Sequence, residues 1–200
     1  MKNNRLVFGR LIFGLAFLMC SIGGVQAANS ISLNAVSSPV TVGSQATFEL
    51  WMDFTGDPTL GGGVDVVFDN FINGNQLSFN SYNPEALGDS DLINIPVVSA
   101  SGDRLEGITF GDLTNGLEGP ALVGTLLFDT LVAGNYSLSP VNSDVAGGFF
   151  SISGAEQFPV YNSASLTVDP VPVPAAIWLM LSGLGGLSGM AFRQKAKHPG

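Results

Sequence analysis

The chain has one histidine and one cysteine in 200 residues, and both sit near its ends, at His198 and Cys20. A Ser-His-Asp or Cys-His site needs a histidine base beside its nucleophile. Zinc sites draw on the same two residue types. The middle of the chain offers neither, so these chemistries are not expected there. Met19 stands before Cys20 where lipoprotein processing requires a small residue, so Cys20 is expected to leave with a leader and the mature protein to hold no disulfide. Basic side chains are scarce as well. Lys2, Arg5, Arg10, Arg193, Lys195 and Lys197 lie at the ends, which leaves Arg104 alone in the body. All sixteen acids fall between Glu49 and Asp169, so the body carries one base against sixteen acids, a net charge of −15. Such a surface has no basic footprint for nucleic acid. It suits solubility, cations or basic partners.

The two ends read as export signals. Lys2, Arg5 and Arg10 precede an apolar run from Leu11 to Ile22, and Gly23-Gly24 lead into Val25-Gln26-Ala27. A charged start, a short apolar core and a small-x-small site form a secretory signal peptide over 1–27, with cleavage between Ala27 and Ala28. The run is too short to span a bilayer. At the other end, residues 169–173 form a Pro-rich spacer in which Pro170 and Pro172 favour extended chain. Residues 174–192 carry no charge. At about 1.5 Å per residue they reach about 28 Å, close to the bilayer's hydrocarbon thickness. Arg193, Lys195 and Lys197 in the 193–200 tail form a basic stop, which the positive-inside rule places in the cytoplasm. A protein that is at least transiently single-pass in the membrane is expected, its tail either cleaved or kept as an anchor, with its body exported to the cell envelope, cell surface or extracellular matrix. Positive mean hydropathy (+0.36) comes partly from these two segments.

The tail carries a resemblance. Val171-Pro172-Val173-Pro174-Ala175-Ala176-Ile177-Trp178-Leu179, the Gly-rich apolar stretch and the basic cluster closely resemble the PEP-CTERM sorting signal of bacteria that make extracellular polysaccharide. Val173 stands where the usual form of that signal has Glu. The resemblance implies processing by a membrane protease-transpeptidase of the exosortase type. It covers roughly the last thirty residues and leaves the body to be read separately. Within the span, Gly183-x-Gly185-Gly186-x-x-Gly189 is out of context for a phosphate-binding loop, which follows a strand. Gly185 and Gly189 are equally consistent with close approach of two spans and with a flexible helix.

From residue 28 to 168 the pattern is strand after strand. Ala46, Phe48, Leu50, Met52 and Phe54 alternate with Thr47, Glu49, Trp51 and Asp53, the period of a half-buried strand. Val64, Val66 and Phe68 repeat it after Gly61-Gly62-Gly63, which reads as a turn. Further strands are expected over Ile31–Val36, Gln76–Phe79, Ile93–Ser99, Arg104–Phe110, Ala121–Leu131, Tyr136–Leu138, Phe149–Ile152 and Ala164–Val168. Turn signals such as Asn73-Gly74, Ser101-Gly102-Asp103 and Gly147-Gly148 separate them. Pro84-Glu85-Ala86-Leu87 alone hints at a helical turn. An all-β ectodomain follows, an antiparallel two-sheet sandwich of jelly-roll or immunoglobulin-like form.

The order of these pieces resembles a cohesin-like domain. The residues that carry it are Val42-Gly43-Ser44-Gln45-Ala46-Thr47-Phe48, the stretch from Leu60 to Phe68, and Tyr82-Asn83-Pro84-Glu85-Ala86-Leu87. Leu122-Val123-Gly124-Thr125-Leu126-Leu127-Phe128 and Gly134-Asn135-Tyr136-Ser137-Leu138 complete it. The resemblance implies a jelly-roll sandwich, and in cellulosome proteins docking to dockerin modules. No residue here identifies that docking surface.

Carboxylates are the remaining chemistry. A glycosidase needs a pair about 5–9.5 Å apart, and none of the sixteen sits in a distinctive motif. Asp53 with Asp57, and Asp89 with Asp91, could give oxygen ligands to calcium, although they lack the spacing of a dedicated loop and suit turns better. Arg104 is expected to pair with a nearby acid. Trp51 falls on the polar side of its strand, where a ring can stack on a sugar or cover an edge. Three function classes follow: a non-catalytic surface or matrix interaction module, a carbohydrate-binding module for exopolysaccharide, and a secreted glycosidase. The first is preferred, with an exosortase-type enzyme, the membrane and a surface protein or glycan as partners.

Overall fold

The computed structural model describes residues 28–69, 76–172, 175–177 and 179–184. Among these residues thirteen strands form two sheets around one shared core. They are β1 (Ser30–Ala35), β2 (Val40–Thr41), β3 (Gln45–Asp53), β4 (Thr59–Asp69), β5 (Leu77–Pro84), β6 (Val97–Val98), β7 (Arg104–Gly111), β8 (Ala121–Thr130), β9 (Gly134–Asn142), β10 (Phe149–Ser151), β11 (Glu156–Gln157), β12 (Val160–Asn162) and β13 (Ala164–Asp169). The smaller sheet runs β12-β1-β3-β8-β5. The larger runs β11-β10-β4-β9-β13-β2, and β7 pairs with β4 and β6 beside that path.

Alternation decides which face of each strand is buried. In β3, Ala46, Phe48, Leu50 and Met52 are buried while Thr47, Glu49 and Trp51 are half-buried on the outer face, because successive side chains point to opposite sides of a strand. β13 buries Ala164, Leu166 and Val168 in the same way. Phe128 on β8 sits at the centre of the core. The rings of Phe48, Phe68 and Phe79 each lie edge-on to it at 5.7 Å, an arrangement that adds to the gain from area alone. A second cluster at the other end joins Phe149 to Phe54 (5.3 Å) and Phe110 (5.6 Å).

Four expectations need correction. Not all pairings are antiparallel: β1 pairs parallel to β12, and β13 parallel to β2. Short edge strands enter there from distant parts of the chain, so no hairpin fixes their direction. Gly61-Gly62-Gly63 is not a turn but part of β4, paired with Gly111, Phe110 and Thr109 of β7. A Cβ on Gly61 would stand 2.4 Å from the Phe110 carbonyl oxygen, and one on Gly62 2.7 Å from the Phe149 ring, so glycine is what lets these strands approach. Ile93–Ser99 is a strand only at Val97–Val98. Pro96 has no amide proton to donate, and the Ile95 N–H is taken by the Asn94 side chain at 3.0 Å. Finally, Pro84–Leu87 forms no helical turn. Pro84 ends β5, and the helical turn is the 3-10 turn at Ser90–Leu92.

The expected signal peptide, the Asn73-Gly74 turn, Val173, Pro174, Trp178 and the basic stop at Arg193, Lys195 and Lys197 lie outside the described residues. Residues 175–177 and 179–184 are helical and exposed. Among the described residues no helix is long and apolar enough to cross a membrane.

Candidate functional site

Where the start of β4 runs beside the end of β7, the sandwich carries a cleft of about 720 Å³, well within the range of ligand sites. Its floor is largely bare backbone at Gly61, Gly62 and Gly147, and Leu60, Leu92, Phe110 and Phe150 give it an apolar lining. Leu113 and Phe150 on this lining keep 64% and 46% of their surface in contact with solvent.

Hydrogen bonds hold both walls. On one side the Asp89 N–H donates to the Gly111 carbonyl (2.8 Å) and the Thr109 hydroxyl to the Leu92 carbonyl (2.6 Å), fastening the 89–92 segment to β7. The Leu113 N–H donates to the Asp89 carboxylate at 3.0 Å. Asp112 accepts the N–H groups of Asn115 (2.8 Å) and Thr114 (2.9 Å), and these bonds hold its carboxyl below the usual carboxylate range. The tip that carries Leu113 is therefore set by Asp89 and Asp112. On the other side the 143–147 turn lies across β4: the Ser143 N–H donates to the Gly63 carbonyl (3.1 Å), and the Gly63 N–H to the Gly147 carbonyl (3.3 Å).

Arg104 pairs with acids, as expected of a lone cation, and it pairs with two. Its Nη1 lies 3.3 Å from Asp144 on that turn and 3.9 Å from Asp65. The Asp65 side chain is 1% exposed and that of Asp144 85%. Asp65 Oδ1 accepts the Gly107 N–H at 2.9 Å, while the buried Oδ2 makes no hydrogen bond among the described residues and lies 3.9 Å from the guanidinium. Arg104 thus links a buried carboxylate to an exposed one and holds the turn down.

Of the candidate site residues that are described, Asp91 lines this cleft and Asp89 supports it, while Asp53, Asp57 and Trp51 are not among its lining. Asp53 accepts the Thr55 N–H (3.0 Å) and Asp57 the Asn29 amide (3.5 Å), so both work as loop fasteners. Among the described residues no three His, Cys, Asp or Glu side chains converge as metal ligands. Trp51 lies on the outer face of the smaller sheet, its Nε1 donating to Glu49 at 3.0 Å. Ala28, Val171, Pro172, Ala175, Ala176 and Leu179 are exposed. Asp91 is the one carboxylate among the described residues lining the cleft, so the acid pair of a glycosidase is not assembled there. The cleft presents apolar surface, bare backbone, the Asn94 and Thr109 side chains and one carboxylate.

Sequence reasoning missed the cleft. The available signals were an apolar Leu113 inside a turn and the doublet Phe149-Phe150, of which a strand can bury only one.

No family model matches the chain, and no curated protein matches it. Solved structures do. The sixth cohesin of Acetivibrio cellulolyticus scaffoldin B, solved in complex with a Cel5 dockerin mutant, superposes with a TM-score of 0.55 at 11% identity, covering 71% of this chain and 99% of that one. The fold is that of a cohesin module. A non-cellulosomal cohesin from the archaeon Archaeoglobus fulgidus matches at TM-score 0.53 and 14% identity, over 75% of this chain and 96% of its own. The cohesin module of a Clostridium perfringens family 33 glycoside hydrolase matches at 0.52 and 13%, over 72% and 100%. At these identities the cohesin likeness is one of fold.

Proposed function

We propose that this chain is an exported, non-catalytic interaction module, displayed outside the cell by its terminal signals, and that the cleft over the start of β4 and the end of β7 receives a partner protein. The carrying observation is the pair of solvent-facing apolar side chains, Leu113 and Phe150, on a preformed apolar cleft. Exposed apolar surface of this kind marks interaction sites. Asp91 in the cleft and the −15 body favour a partner segment that is apolar at its tip and basic around it. The cohesin fold supports the reading, since the Acetivibrio module is solved bound to a dockerin. A dockerin-like or other surface protein is the partner class. Display follows from the sorting reading, in which the signal peptide is cut between Ala27 and Ala28 and an exosortase-type enzyme acts at the Val171–Leu179 motif.

A partner captured from the envelope, then identified and purified, should bind the natural protein at least about tenfold more tightly than a Leu113→Asp/Phe150→Asp variant, the loss of one buried hot spot or more. Both positions face solvent, so the melting temperature should stay nearly constant. Equal affinity for both forms, or the lack of any protein partner, would contradict the assignment.

A further inference from the structure

The outer face of the smaller sheet is built differently from the cleft. Register places Asn34, Glu49, Thr125 and Asn83 opposite one another across β1, β3, β8 and β5. That row crosses three strand spacings, about 14 Å of sheet surface. Beside it Trp51 stands between Ser32 and Leu122. Among the described residues, none of the large exposed apolar side chains belongs to β3, β5 or β8, and the exposed Val160 stands at the far edge of the sheet on β12, so the part of the face around Trp51 lacks the apolar anchors of a protein-docking surface.

Its charges are arranged unusually. Glu49 accepts the Trp51 indole N–H at 3.0 Å. Asp129 accepts amide donors from Gln45 (3.2 Å) and Asn80 (3.0 Å). Both carboxylates are oriented by neutral donors, and the only basic residue between Arg10 and Arg193 is Arg104, which is engaged with Asp65 on the other sheet and Asp144 on the 143–147 turn. A carboxylate has about four acceptor sites, so each keeps capacity for further hydroxyl donors. The Glu49 bond also restrains the Trp51 indole, whose ring offers apolar area at low entropic cost. Fixed acceptors, side-chain amides and one restrained aromatic ring on an open sheet face match the two faces of a sugar, its hydroxyl edge and its C–H face. With its carboxylates and no basic side chain among the described residues of this sheet, the face repels uronate and sulfate groups.

We propose that this face binds a neutral polysaccharide, with Trp51 stacking on a sugar ring and Glu49, Asn83 and Asp129 taking its hydroxyl groups. This site is independent of the protein-binding cleft, and the two readings can fail separately.

The test uses the protein purified from the envelope; any form that retains residue 178 is compared with its Trp178→Phe variant, so that the emission change is assigned to Trp51. Affinity electrophoresis with mixed-linkage β-glucan, xylan and galactomannan is paired with tryptophan fluorescence, and acidic alginate serves as the comparison. At least one neutral polysaccharide should retard the protein and shift Trp51 emission, while alginate does neither. Trp51→Ala should abolish retardation, and Glu49→Gln and Asn83→Ala should each weaken it severalfold, with unchanged melting. Leu113→Asp/Phe150→Asp should leave it intact. Failure of all three neutral polysaccharides, equal retardation by alginate, or full retention by both Trp51→Ala and Asn83→Ala would overturn the assignment.

Discussion

Replacing Phe128 with Ala is expected to cost about 3–5 kcal/mol of folding free energy, the range for emptying a large aromatic site in a core. Phe128 is fully buried on β8, and the rings of Phe48, Phe68 and Phe79 all point their contacts at it. Those rings come from β3, β4 and β5, so the cavity would open between the two sheets rather than beneath one loop. Collapse around it would need several strands to move together, which close packing resists. For a domain of this size the melting temperature should fall by about 10 °C or more. Phe128→Leu keeps most of the volume and should cost less. Thermal unfolding followed by circular dichroism measures both, and a Phe128→Ala cost below about 1 kcal/mol would show that the aromatic hub is not what joins the sheets.

Gly61→Ala should be nearly as damaging, for a backbone reason. Gly61 has φ of +126°, and its new Cβ would meet the Phe110 carbonyl oxygen at 2.4 Å and the Gly111 Cα at 2.6 Å. The left-handed conformation alone costs an L-residue about 1–2 kcal/mol. A clash with paired backbone adds to that, because β7 cannot withdraw without breaking its ladder to β4. About 3 kcal/mol in total is expected. Gly43→Ala is the matched comparison, since φ there is +85° but nothing lies within 4 Å of the added carbon. Its cost should stay near 1 kcal/mol. Equal melting temperatures for the two variants would refute the close-approach explanation. Because Gly61 also lines the cleft, its replacement should weaken partner binding in molecules that remain folded.

These contrasts explain what was legible in the sequence. β3 could be read because Phe48 and Leu50 differ from Glu49 and Trp51, so one strand records both its faces. The same signal placed Trp51 on the outer face, away from the core. Gly61, Gly62 and Gly63 have no side chains with which to record a face, and a strand built for close backbone approach resembles a turn in sequence. Two-residue strands such as Val40–Thr41 and Glu156–Gln157 are too short to show any period. The cleft was hidden because Leu60, Leu92, Leu113 and Phe150 come from four separate stretches that only the pairing of β4 with β7 and β10 brings together. Arg104 was readable in part. Its isolation among acids predicted an ion pair, but not that one partner would be the buried Asp65 and the other the exposed Asp144.

Display of the sandwich outside the cell is tested most directly by the intact mass of the surface-exposed protein. Export and sorting predict a chain that begins at Ala28 and lacks the segment from Trp178 to Phe192, so that the acidic module is released from its span. A surface form that still carries Trp178 to Phe192, or that begins at Met1, would contradict this and leave either a permanent anchor or an uncleaved leader.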